Sequence, residues 1–260
     1  MHRFFSPQSD FSQQSIKITD TAELHHLAHV LRLKKGQTVA VFNNTGQEIT
    51  GTIQRLTPHA AEINILTRRK KEPKPGPHLI LACAIPKKAK FETIIEKCTE
   101  LGVNEIVPLL TQRSEVRPDS VRQKNKNQRY QSVAVNAAKQ SGRPTLPVIQ
   151  PLRKFKQFIR DIPAHSLALI PCLKAQQAVL PKIMTAGRGI KNIVVLIGPE
   201  GDFSDLEVAL AVEQGCVPVS LGSNVLKVDT AAISLTALIH YLAPSLPIRA
   251  AARSDGSRKD

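Results

Sequence analysis

Paired cysteines are the first thing this sequence lacks. Its four cysteines, Cys83, Cys98, Cys172 and Cys216, are scattered, and no Cys-x-x-Cys occurs. That spacing argues against zinc knuckles and iron–sulfur sites and leaves buried free thiols in a reducing cytoplasm as the expectation. Long apolar runs are missing as well. No segment approaches the roughly 20 apolar residues needed to cross a bilayer. Met1–Pro7 has no apolar core of signal-peptide length, so a cytoplasmic protein with no membrane partner is expected. No Gly-x-Gly-x-x-Gly follows a strand, which removes an ordinary dinucleotide fold, and no Gly-x-x-x-x-Gly-Lys-Ser/Thr occurs, which leaves ATP or GTP hydrolysis without support. Neither a Gly-x-Ser-x-Gly elbow nor His-Glu-x-x-His is present. Acidic residues are also scarce. The 21 Asp and Glu face 36 Lys and Arg, for a net charge of +15. Such an excess favours a polyanionic partner, above all nucleic acid, over the plainer alternative of a merely basic surface.

What is present divides into two patterns. Residues 1–70 read as a small β-rich barrel, with strands at Thr38–Phe42, Glu48–Ile53 and Ala61–Leu66 and a turn at Asn43-Asn44-Thr45-Gly46. One helix is predicted between Thr21 and Leu33, with Leu24, Leu27, Ala28 and Leu31 on one face. His25, His26 and His29 lie on it. A solvated helix face is the plainer reading of that cluster than a metal site, because no fourth ligand is evident. Arg68–Pro77 combines three prolines with a charge run and reads as a linker, centred on 71–77. Strands and helices then alternate through 78–243. Strands are predicted at His78–Ile85, Glu105–Leu110, Leu167–Ile170, Ile193–Ile197 and Val217–Leu221, and helices over Phe91–Leu101 and Ser120–Ser141. Such alternation predicts an α/β domain with a mostly parallel sheet and helices on both faces. The last helix, Ala231–Leu242, is apolar on nearly every side, so it must pack deep in the fold or against another subunit. Residues 244–260 are polar and basic without periodicity and read as a disordered tail.

The most informative stretch is Leu196-Ile197-Gly198-Pro199-Glu200-Gly201-Asp202-Phe203-Ser204. A β-branched strand stops at a sharp Gly-Pro-Glu-Gly turn, and Ser204-Asp205-Leu206-Glu207 has the spacing of a capping box. Ligands of open α/β sheets sit at such strand ends. Two further loops accompany it: Ile170-Pro171-Cys172-Leu173, and Leu221-Gly222-Ser223-Asn224-Val225-Leu226. Their backbone groups suit a flat heterocycle, with Leu196, Leu221, Val225 and Leu226 as apolar walls. On spacing alone, three ordinary sheet turns remain an equal alternative.

Five ordered motifs carry a resemblance. They are Lys90–Val103; Ile106-Val107-Pro108 with Arg113-Ser114; Ala138-Lys139-Gln140-Ser141-Gly142-Arg143-Pro144; Ile197–Phe203; and Leu221–Thr230. With His26–Arg32 near the front, they resemble the ribosomal RNA small-subunit methyltransferase E family, which methylates N3 of a uridine in 16S rRNA. The resemblance covers nearly the whole chain outside the linker and tail. It implies the SPOUT class: an N-terminal PUA-like barrel, a C-terminal domain with a deep trefoil knot, S-adenosylmethionine held by the knot loops, no metal, and a homodimer. The implied cofactor residues are Ile170, Pro171, Cys172, Leu196, Gly198, Pro199, Glu200, Gly201, Leu221, Gly222, Ser223, Asn224, Val225 and Leu226. The chain departs from the family pattern at five places. Asn224 and Lys227 stand where two arginines are usual, Asp229 stands for a Glu, Asp202 for the last Gly of the turn, and Lys139 for an acidic residue. Arg to Asn removes a charge and a guanidinium fork.

Uridine N3 is a poor nucleophile until its proton leaves. The protein must therefore align N3 with the methyl group and favour the anion. Arg143 and Lys227 are the candidates for stabilising that charge. Glu200 is either a base or orienting group, or a turn carboxylate that caps the next helix. Asp229 suits N-capping better than catalysis. Arg3, Arg32, Lys34, Lys35, Arg113 and Arg117 are candidate contacts to the RNA backbone, each against the alternative of a solvated cation. Two rivals remain: a SPOUT ribose 2′-O-methyltransferase, and an RNA-binding assembly factor without catalysis.

Overall fold

The computed structural model describes residues 1–70, 76–87, 90–115, 120–172 and 190–242, with backbone only at 120–124. The expected tail at 244–260, most of the 71–77 linker and Arg117 lie outside the described residues. The chain forms two compact units. One is Met1–Lys74 with Gln128–Pro147, and the other is Pro75–Asn127 with Val148–Asp260. A sequence division at the linker does not anticipate that residues 128–147 join the first unit.

The first unit is built on β1 (Arg3–Phe5), β2 (Ser15–Ile18), β3 (Thr38–Phe42), β4 (Gln47–Leu56) and β5 (Ala61–Lys70). They form one sheet in the order β1-β3-β4-β5-β2, in which only the β1–β3 pair is parallel. The β4–β5 ladder shifts register at Thr50/Gly51 and at Ile53/Arg55, and such irregularities bend a sheet over its core. Gly51 is obligatory at the first shift: an added Cβ would lie 2.4 Å from the Asn64 carbonyl oxygen. Phe4, Phe11, Ile16, Ile18, Leu24, Leu27, Val39, Val41, Ile49, Ile53 and Ile63 fill the interior.

Two sequence expectations change here. Strand β5 continues through Arg68, Arg69 and Lys70, where the linker was expected to begin. The Arg68 guanidinium explains this, since its Nε donates to the Phe11 carbonyl at 2.6 Å and Nη2 donates to that of Gln13. The single helix over 21–33 is instead α1 (Thr21–His25) followed by a π-helical turn at His26–Val30. Leu31 N–H bonds to the His26 carbonyl, and the segment leaves through Arg32 at φ +52. Among the described residues no cluster of His, Cys, Asp and Glu could hold a metal. His25 and His29 stack with ring centroids 5.0 Å apart.

The second unit contains β6 (His78–Ala84), α2 (Lys90–Glu100), β7 (Glu105–Leu110), β8 (Val148–Ile149), β9 (Arg153–Lys154), α4 (Phe155–Arg160), β10 (Ser166–Pro171), β11 (Asn192–Ile197), α5 (Asp205–Glu213), β12 (Val217–Val219) and α6 (Val228–Leu242). Helix α3 (Ser120–Ser141) begins in this unit and ends in the first. The sheet order is β12-β10-β11-β6-β7-β8, with β9 also on β7, and every pair is parallel. Side chains of a strand alternate between faces. Ile80, Ala82, Val194, Leu196, Ala168 and Ile170 therefore share one face with Phe155, Phe158 and Ile159 of α4 and Ala211 of α5. Helix α6 packs against β6, β11 and α2.

Helix α6 is covered on one side only. Val228, Ala232, Leu235, Thr236 and Ile239 are buried, whereas Leu238 and Tyr241 are 46% and 83% exposed. All four cysteines are buried free thiols. No described helix is long and apolar enough to cross a membrane.

Candidate functional site

The site grows from the C-terminal ends of β10, β11 and β12, which are adjacent in the sheet. Each strand ends in a bend for a local reason. After β10, Cys172 N–H reaches the Val219 carbonyl at 3.4 Å and ties that bend to β12. Strand β12 stops at Val219 rather than Leu221, because Ser220 Oγ accepts the Gly222 N–H at 3.1 Å and starts a turn. After β11, Asp202 N–H bonds to the Pro199 carbonyl at 2.9 Å. Gly198 leaves little room for a side chain: a Cβ would meet Phe203 N at 3.1 Å and its ring at 3.2 Å, and the bend would have to give slightly.

Asp202 is left-handed at φ +59, which explains why glycine is usual there. Its own Oδ1 accepts the Phe203 N–H at 2.7 Å, and a short polar side chain tolerates this conformation better than most. Asp202→Ala is therefore expected to destabilise the second unit by about 1 kcal/mol, and Asp202→Gly to be near neutral, as read by chemical denaturation. Equal stability of the Ala variant and the wild type would remove the strain argument.

The capping box forms as predicted. Ser204 Oγ accepts the Glu207 N–H at 3.3 Å, and Glu207 Oε2 accepts the Ser204 N–H at 3.0 Å. The buried Glu207 also accepts the Gln112 N–H at 2.8 Å. Because Ser204 is the cap of α5, Glu200 does not hold that role. Its Oε1 instead accepts the Lys87 N–H at 3.0 Å. Asp229 is not an N-cap either. It lies inside the first turn of α6, 3.6 Å from Lys90 Nζ, while the Lys227 carbonyl accepts the Ala231 N–H.

The three bends enclose a cavity of 320 Å³. Pro171, Cys172, Gly198, Pro199, Glu200, Leu221, Gly222, Asn224, Val225, Leu226 and Lys227 line it, all of them residues singled out from sequence. Ile197, Asp202, Val219, Ser220, Val228 and Ala231 line it too. Ile170, Leu196, Gly201 and Ser223 do not. Ile170 and Leu196 point through the sheet to the Phe155 side, so the β11 wall is Ile197, one residue later. Strand alternation carried the signal that would have chosen it. Arg143 belongs to the first unit and is not among the lining residues.

Two sequence patterns match known families. That of the RNA methyltransferase domain matches residues 72–240, and that of the RNA methyltransferase PUA domain matches 18–66. A Synechocystis protein named ribosomal RNA small subunit methyltransferase E is 34% identical over 227 residues, which are 86% of this chain and 73% of that one. The chain belongs to the ribosomal RNA small subunit methyltransferase E family. The Bacillus subtilis protein of that name is 24% identical and matches over 93% of this chain and 96% of its own. The solved ribosomal RNA small subunit methyltransferase E of Neisseria gonorrhoeae, bound to S-adenosylmethionine, superposes with a TM-score of 0.84 at 27% identity, covering 94% of this chain and 98% of that one. A Legionella pneumophila methyltransferase in complex with the same cofactor also gives 0.84, at 28% identity, covering 92% and 96%. The second unit thus has the α/β architecture of this methyltransferase family and the first its PUA-like fold.

Within this family member the cations chosen from sequence occupy different situations. Arg32 and Lys34 are both exposed. Arg113 Nη1 donates to the Gly201 carbonyl at 2.7 Å and so braces the bend after β11. Arg3 is held within the first unit. Its side chain is only 12% exposed, and its guanidinium pairs with Glu48 and reaches the Ala138 carbonyl at 2.6 Å. The unsatisfied carbonyls at a helix C-terminus attract a cation, and the end of α3 has taken this one. Burial lowers the Arg143 guanidinium to about 10, so it stays charged at neutral pH.

Proposed function

We propose that the chain transfers the methyl group of S-adenosylmethionine to N3 of a uridine in the 16S rRNA of the small ribosomal subunit, acting in the cytoplasm as a homodimer. The observation that carries this reading is the convergence of three strand-end bends on one cavity in a member of this family. Its volume lies in the range of small-molecule sites, about 300–1,000 Å³. The walls suit the cofactor. Ile197, Leu221, Leu226 and Ala231 offer apolar contact, and the bends at Gly198 and Gly222 offer main-chain groups where no side chain intervenes. The three bends are assigned to the trefoil knot of the SPOUT class.

When bound, the cofactor supplies an activated methyl group on a sulfonium. The residues do the rest. Lys227, in the cavity wall, and Arg143 favour negative charge on the base as N3 loses its proton. Glu200, with Oε1 engaged by Lys87, takes or orients that proton through its other oxygen. Arg32 and Lys34 are assigned to RNA phosphates, as is Arg117, which lies outside the described residues. The homodimer rests on α6: its exposed Leu238 and Tyr241 are apolar surface that a second copy would cover.

The test compares small-subunit RNA from cells with and without the protein, by nucleoside mass spectrometry. Loss of one 3-methyluridine, restored by the gene, is the expected result. A lost 2′-O-methyl group would assign the ribose instead. Unchanged nucleosides together with no cofactor binding by calorimetry would leave an assembly factor without catalysis.

A further inference from the structure

We propose that Arg3, on the first strand of the PUA-like unit, is a positioning residue for Arg143. The inference rests on the assignment of Arg143 to the reaction. Arg143 follows directly on the end of α3. Gly142 is left-handed at φ +73, and Arg143 N–H closes back on the Ala138 carbonyl at 3.1 Å, the geometry of a glycine-terminated helix. A helix end of this kind leaves its last carbonyls in need of partners from outside the helix. Strand residues of the first unit supply them. Arg3 Nη1 donates to the Ala138 and Lys139 carbonyls at 2.6 and 3.1 Å, and Nη2 to the carbonyl of Arg143 itself at 3.3 Å. Glu48 pairs with the same guanidinium, and Phe42 lies under it at 4.8 Å.

A second tether acts further along the segment. Asn44, left-handed at φ +68, accepts the Leu146 N–H on Oδ1 at 2.6 Å. Residues 138–146 are thus held at both ends by residues of the β-sheet unit that are distant in sequence. A planar fork that reaches three carbonyls sets an orientation; a lysine ammonium in its place would satisfy the charge but not the geometry. Arg3 accordingly acts through Arg143 rather than on RNA.

The test is steady-state methylation of small-subunit RNA by Arg3→Lys, Arg143→Ala and the double variant, with RNA affinity measured against salt. Arg3→Lys is expected to lower kcat about tenfold, because small misplacements of a reacting group are costly. KM for RNA, the cofactor Kd and the slope of log K against log[salt] should stay at wild-type values. The double variant should be no slower than Arg143→Ala alone, since a positioning residue has nothing left to position. A raised RNA KM with a salt slope shallower by about 0.7–0.9 would make Arg3 a phosphate contact and overturn the proposal. Wild-type kcat for Arg3→Lys beside an impaired Arg143→Ala would also overturn it. Wild-type kcat for Arg143→Ala would instead remove the reading on which it rests. Should Arg3→Lys fail to fold, Asn44→Gly releases the other tether without backbone strain, and its kcat must fall in the same direction; an unchanged kcat overturns the proposal.

Discussion

Arg143→Ala is expected to lower kcat by about 10²-fold or more while the Kd for S-adenosylmethionine moves less than about twofold. The two halves of this expectation have separate origins. Charge stabilisation in a partly desolvated site is usually the largest single contribution to rate, and removing one donor costs about 10²–10³. Burial lowers the Arg143 guanidinium to about 10 and still leaves it a cation at pH 7. The cavity proposed for the cofactor is lined by residues 171–172, 197–200, 202, 219–222, 224–228 and 231, and Arg143 is not among them, which is why the cofactor Kd is expected to hold. Arg143→Lys should recover only part of the rate, because an ammonium lacks the planar fork. Single-turnover methylation and calorimetry on the same preparations check both halves. A wild-type rate for Arg143→Ala would leave Lys227 as the cation assigned to the base.

The second unit was the more legible in sequence. Its strands β6, β10 and β11 are apolar runs closed by glycine or proline, and β7 and α3 have the predicted bounds, whereas the two-residue β8 and β9 and the short α4 carry no pattern long enough to read. The capping box at Ser204–Glu207 is a local pattern with a local cause, and it forms as read. The first unit was harder because its determinants are distant. Strands β1 and β2 have three and four residues and hold too few alternations to announce themselves. The continuation of β5 depends on carbonyls of Phe11 and Gln13, more than fifty residues away in sequence. At the site, the bends were visible as punctuation, and most of the cavity lining followed. The face of β11 is not legible in an all-apolar run: Leu196 and Ile197 are equally suitable as walls, but Ile197 lines the cavity while Leu196 joins the Phe155 side, since a shift of one residue reverses a strand side chain. Arg3 shows why charge counting stops short. Composition gives a cation; only the fold brings the C-terminus of α3 to it.

Lys139→Glu, which restores the residue type usual at that position, is expected to destabilise the first unit by about 3–5 kcal/mol. Lys139 Nζ lies 2.8 and 3.0 Å from the two carboxylate oxygens of Glu23, and the paired side chains are each only 10% exposed. The same ammonium stands 5.5 Å from the Phe4 ring and 3.3 Å from His26 Nδ1. A carboxylate there faces another carboxylate with little water to screen them, so the loss exceeds that of an exposed pair. The reversed pair, Glu23→Lys with Lys139→Glu, should recover most of the stability if charge is the cause. His26 supplies an independent reading of the field. Burial first, and then Lys139, lower its pKa, so the folded chain keeps it neutral where the unfolded chain begins to protonate. The stability this confers is complete above the unfolded imidazole value of about 6.5 and is lost as pH falls below it. When the substitution puts a carboxylate in place of the ammonium, His26 gains an anionic neighbour, its pKa rises, and the acid-side loss flattens. Denaturant midpoints of wild type, single and reversed variants on either side of the imidazole titration decide the matter. A reversed pair as unstable as Lys139→Glu alone would mean that packing of the lysine stem over Phe4, and not charge, holds α3 to the sheet.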